Sequence, residues 1–186
     1  MSDTPKRKRG RERERPGPYR WAVQVFFLAI VLSAALSLAS ETSLSGAGAA
    51  AAALVLAVFI GLGILFDIIG VAVTAADPKP FHSMASHKEK GAAEALMLLR
   101  NAGRVSSVCN DVVGDICGIV SGTTAAVIVV RLQAAFGVES VLMSVGVTAL
   151  ISGLTIGGKA LGKTVAIRSS TQVVYWVGRF LHLFHR

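Results

Sequence analysis

The chain has 186 residues, 53% of them hydrophobic and only 16% charged, and its mean hydropathy is positive. One small domain fits this length, and an ordinary water-soluble globule is excluded, because several apolar runs approach the 20 residues needed to cross a bilayer. The net charge of +8 collects in polar ends and loops, where it signals membrane orientation before it suggests nucleic acid; no nucleic-acid partner is expected.

Residues 1–20 form a basic tail, Lys6, Arg7, Lys8, Arg9, Arg11, Arg13 and Arg15 alternating with Glu12 and Glu14 before Pro16 and Pro18. This composition predicts a disordered cytoplasmic segment. Residues 21–39 form the first apolar run, anchored by Tyr19 and Trp21. A cleaved signal peptide is the alternative, given the small residues around Ala35 to Ala39. The long polar region ahead of the run favours an uncleaved helix.

The second run, from about Ala47 to Ala75, carries Gly61, Gly63 and Gly70, which permit close helix approach. Asp67 lies near its end, where a helix-terminal or snorkelling role competes with a site role. Asp77-Pro78-Lys79-Pro80 breaks the helix. From Phe81 to Arg104 the pattern predicts two short amphipathic helices at the membrane surface, separated at Gly91.

The third span, about Val105 to Val130, contains Asn110-Asp111-Val112-Val113-Gly114-Asp115. An acid at membrane depth costs roughly 3 kcal/mol on insertion scales and therefore faces protein or water. On a regular helix Asp111, Gly114, Asp115, Gly118, Ser121 and Gly122 share one face, leaving Val113, Ile116, Val120 and Val127 for lipid. Gly114, Gly118 and Gly122 make a smooth ridge on which another helix is expected to pack tightly. Oxygen ligands on an acidic face suit a hard cation such as magnesium. The candidate ligands are Asn110, Asp111, Asp115 and Ser121; the competing reading has one Asp paired with Lys159, Lys163 or Arg131 in a purely structural bundle.

A short link around Ala134 to Glu139 precedes the fourth run, Ser140 to Gly157. The remainder, Lys159 to Arg186, mixes Tyr175, Trp176 and Phe180 with Arg168 and Arg179 and predicts an interfacial helix. The fold class is therefore all-α, a polytopic bundle of about four spans. Both termini and the Phe81–Arg104 loop are expected on the cytoplasmic side of the plasma membrane, because Lys and Arg concentrate there.

Enzyme chemistry finds no support: there is no Gly-x-Ser-x-Gly elbow, no Cys beside a His and no phosphate-cradling Gly-x-x-x-x-Gly-Lys. No cofactor is expected. Cys109 and Cys117 stand eight residues apart on one helix, about 12 Å by helical rise, too far for a disulfide. They read as packing residues. The His182 and His185 pair, at i, i+3, reads as interfacial before it reads as a metal site.

The order of elements resembles the transmembrane domain of the CorB/CorC and cyclin M (CNNM) magnesium and cobalt transporters. Three segments carry the resemblance. Gly91 to Asn101 is similar to that family's juxtamembrane helix, Asn110 to Ser121 occupies the place of its Gly-Asn-Asn span, and Gly158-Lys159-Ala160-Leu161-Gly162-Lys163 looks like its Gly-Glu-Ile-x-Pro-Lys element. The likeness covers residues 47–186 and leaves the first span as an extra. It implies a dimer in membrane lipid, with Mg2+ as the transported ion and side chains of the third span as ligands. The departures are concrete. The family's Ser-Glu-x-Ala turn is absent near Gly70 to Ala75, Lys159 stands where the family has Glu, and no CBS pair is present. The leading expectation is divalent-cation transport. The alternatives are an accessory membrane protein that keeps the fold without transport, and a proton- or sodium-coupled exporter using the Asp pair.

Overall fold

The structure, a computed structural model, describes residues 18–44, 48–137 and 141–184. Every described element is helical: α1 (Pro18–Leu44), α2 (Ala49–Ala75), α3 (Pro78–Ser86), α4 (Ala92–Arg100), α5 (Ala102–Ser107), a π-helical turn (Val108–Gly114), α6 (Asp115–Phe136), α7 (Val141–Arg168) and α8 (Ser170–Phe184). Four segments are long and apolar enough to cross a membrane: Tyr19–Leu44, Ala49–Ala75, Ala102–Phe136 and Val141–Arg168. The expected all-α multi-span bundle is therefore what the chain forms. Of the basic tail, residues 1–17 lie outside the described residues, while Pro18 to Arg20 already belong to α1; the link expected at Ala134 to Glu139 is helical as far as Phe136, and residues 138–140 lie outside the described residues.

Helix α2 is the hub, packed against α5, the π turn, α6, α7 and α8. Its glycines let both neighbours come close. A Cβ added to Gly63 would stand 3.2 Å from the Cys117 Cβ, and one at Gly70 would overlap the Asn110 carboxamide. On the α7 side Gly158 and Gly162 lie directly under Ile64 and Ile68. Without a hydrophobic driving force between helices in lipid, such close backbone approach supplies the packing.

The break after α2 forms as its residues demand. Asp77 caps α3, its carboxylate accepting from the Lys79 amide at 2.9 Å, with Pro78 in the first helical position, where no amide donor is required. Gly91 has φ +89°, a left-handed conformation, and its backbone lies against that of Gly178 and Arg179. Two glycine backbones in contact clamp α4 onto α8, and Glu94 meets His182 at 2.8 Å alongside. Phe81, Val73, Ala95, Ala166 and Val174 close a core beneath this platform. At the opposite end Ser40 and Thr124 share a buried hydrogen bond, and the Arg131 guanidinium donates to the Leu44 carbonyl at 2.8 Å.

Two expectations need correction. The fourth span does not end near Gly157: it runs to Arg168, so Lys159 lies inside it and the interfacial helix begins only at Ser170. Hydropathy at Lys159 and Lys163 suggested an exit, but nine further residues remain helical against α2. Likewise Ile116 and Val120, assigned to lipid, are buried beside Phe59 and α1. The expected wheel took one α-helix from Val105 onward. The π turn breaks that phase, and α1 covers the side left to lipid.

Candidate functional site

Three helices carry polar residues to one level of the bundle. Asp67 lies eight residues inside the Ala75 end of α2 and Lys159 nine residues inside the Arg168 end of α7, both roughly 12–14 Å deep at 1.5 Å per residue. Gly114 faces them from the π turn, and Asn110 sits one rung away, on Gly70. The contact between α2 and the π turn–α6 segment descends in rungs: Gly70 on Asn110, Asp67 beside Gly114, Gly63 on Cys117.

Gly114 is the floor of the site. The point where its Cβ would stand is 3.7 Å from Asp67 Oδ1 and 3.7 Å from Lys159 Nζ. Carboxylate and ammonium thus look at each other across a glycine, and no direct ion pair closes between them. Asp67 is only 5% exposed. Next to it the Asn110 amide donates to Ser106 Oγ at 3.2 Å, while its Oδ1 is buried with no hydrogen-bond partner. An unsatisfied oxygen at membrane depth costs several kcal/mol, so the Asn110 Oδ1, with the buried Asp67 carboxylate nearby, marks a place where a ligand would be stabilised.

The four candidate ligands do not converge. Asp111 and Asp115 are both exposed and open into a groove of about 630 Å³ against α1, lined by Val25, Phe26, Ala29 and Ile30 among others. Asn110, their neighbour, points the other way, onto α2. Ser121 is buried 3% exposed at a second cleft, between α6 and α7, with Gly118, Gly122, Thr148 and Ser152. Its hydroxyl has no hydrogen-bond partner. The single face drawn through Asp111, Gly114, Asp115, Gly118 and Ser121 is thus divided among three neighbours: α1, α2 and α7. Among the described residues no group of three or more His, Cys, Asp or Glu side chains is arranged to hold a metal ion.

Asp67 was the residue that sequence reasoning undervalued. The signal was present: Gly63, Asp67 and Gly70 fall at i, i+4 and i+7, so an acid sits in a ridge of glycines on one helix face. Gly118, by contrast, does not sit at the tight contact expected of it within the chain, since a Cβ there would meet nothing within 4 Å. Cys109 and Cys117 are free and buried, as packing residues would be. No family model, curated relative or solved structure matches the chain.

Proposed function

We propose that this integral membrane protein transports a divalent cation, magnesium or cobalt, through the interior site between Asp67, Asn110 and Gly114. The observation that carries the proposal is a buried carboxylate next to a buried oxygen that lacks a hydrogen-bond partner: Asp67 and the Asn110 Oδ1 lie about one helical turn apart along the contact of α2 with the π turn. Carboxylate and carboxamide oxygens are the ligands a hard cation takes, and magnesium keeps several of its waters when so few protein groups bind it. Gly70 lets the Asn110 carboxamide seat against α2, and Gly114 keeps side-chain bulk away from Asp67. The order of spans and surface helices is the one the magnesium- and cobalt-transporter resemblance implies. Asp111 and Asp115, on the α1 side, are left to line an approach from the groove.

Lys159 sets the electrostatics. Its ammonium lies across Gly114 from Asp67, so an entering cation displaces a resident positive charge rather than entering an empty acidic hole. The same residue favours the second reading, a membrane protein that keeps the fold without transport, with Lys159 as a permanent tethered occupant.

Melting temperature of the purified protein, with and without magnesium or cobalt, separates the two. Transport predicts a magnesium-dependent rise that Asp67→Asn removes and Lys159→Met strengthens, by about tenfold in affinity, or ~1.4 kcal/mol. A wild type indifferent to both ions, with Lys159→Met simply less stable, sinks the transport reading.

A further inference from the structure

Where α4 turns into the third span, Arg100, Asn101, Gly103 and Arg104 line an open surface hollow of about 340 Å³. Its chemistry is set by two arginines. Arg100 ends α4 and Arg104 lies in the first turn of α5, both exposed. Among the described residues neither guanidinium forms an ion pair or hydrogen bond. Asn101 is committed elsewhere, its amide donating to the Met97 carbonyl at 2.9 Å. Gly103 has nothing within 4 Å of its absent Cβ, so the cavity floor is open.

Length places this pocket relative to the bilayer. Helices α2 and α7, of 27 and 28 residues, measure roughly 40 Å, the thickness of a bilayer with its headgroups. The rod from Ala102 to Phe136 has 35 residues and is some 10 Å longer. Asn110 packs on Gly70, so Arg104, six residues before it, lies level with the Ala75 end of α2, among the headgroups and beyond the hydrocarbon. The neighbouring α8 supports the same level: Trp176 is 65% exposed with Arg179 at 5.9 Å from its ring, the pairing of aromatic and cation that suits the interface.

We infer that Arg100 and Arg104 form a binding pocket for the phosphate of an anionic phospholipid headgroup. Guanidinium groups present paired donors that match phosphate oxygens, and they stay charged at any physiological pH. The hollow is large enough for a phosphodiester and part of its polar substituent. The lipid docks on the face where the surface helix α4 joins the membrane rod, and it fixes the angle between them.

The test measures binding of phosphatidylglycerol and of phosphatidylcholine to the detergent-solubilised full chain by native mass spectrometry. Inorganic phosphate serves as a competitor. Each arginine near an anionic surface contributes a factor of about five. Arg100→Gln and Arg104→Gln should each weaken phosphatidylglycerol binding by that factor and leave phosphatidylcholine unchanged. The pair Arg100→Lys with Arg104→Lys keeps charge and should fall between. Both side chains are exposed, so melting temperature stays near wild type, and the cation response, which uses other residues, is unaltered. Equal phosphatidylglycerol binding by wild type and the double Gln variant overturns the assignment. So does inorganic phosphate that displaces the lipid at equal concentration, which would make the pocket a site for a soluble anion.

Discussion

Asp67 and Asp115 are both carboxylates within spanning segments, and the bundle treats them in opposite ways. Asp67 is enclosed by α2, the π turn and α7, with glycines above and below it and a lysine across the cleft. Asp115 is exposed on the α1 side, in a groove walled by apolar side chains. One acid is held by backbone that has been cleared of side chains; the other rests against a helix that barely covers it. The difference teaches that the chemistry of an acid in a membrane is set by what its neighbours lack. Gly70 and Gly114 create the interior site as surely as Asp67 does.

The sharpest way to break this comparison is to fill the cleared space. Gly70→Leu drives a side chain into the Asn110 carboxamide and should cost about 3 kcal/mol, read as a large fall in melting temperature and loss of any metal response. Gly118→Leu, at a glycine with open space around it, should change the stability of the single chain by less than ~0.5 kcal/mol. If the two variants melt alike, the interior site owes nothing to its glycines.

A second contrast exchanges charge at the two acids. Asp67→Asn leaves Lys159 without its facing carboxylate and should destabilise the metal-free protein by about 1–2 kcal/mol, besides abolishing the magnesium-dependent rise. Asp115→Asn removes a charge from an apolar groove, so the melting temperature should hold or increase and the magnesium response should persist. A magnesium response lost in Asp115→Asn but kept in Asp67→Asn would reverse the assignment.

The smallest effect is expected at the surface platform. Glu94→Gln weakens the 2.8 Å contact with His182, but His182 is 42% exposed on its side chain, so solvent screens the pair. About 0.5 kcal/mol is expected, measurable as faster amide exchange in α8 before any change in global melting.

The sequence made the spans legible because each is a run of apolar residues with a polar break, and the Asp77-Pro78 stop and the Gly91 joint were readable from residue chemistry alone. The interior site was harder. Asp67 and Lys159 are placed in sequence where spans begin to look polar, and only the continuation of α2 to Ala75 and α7 to Arg168 puts them deep. The polar character of Asn110 to Ser121 was evident, but its facing was not. A helical wheel presumes 3.6 residues per turn throughout, and the seven residues from Val108 to Gly114 do not obey it.

That wide turn has a consequence for how the molecule is geared. A π turn carries one residue more than the α ladder would, and each residue of an α-helix advances the chain by about 100°. Deleting a single residue between Val108 and Gly114 would let the ladder close as ordinary α-helix and twist everything ahead of it by that angle relative to α6. Asn110 would swing off Gly70, and the α4–α5 corner would turn away from α8, while Asp115 to Phe136 kept its neighbours. The surplus residue thus acts as a phase offset, timing the surface platform to the interior of the bundle, and a length change there reaches the platform and the interior site at once.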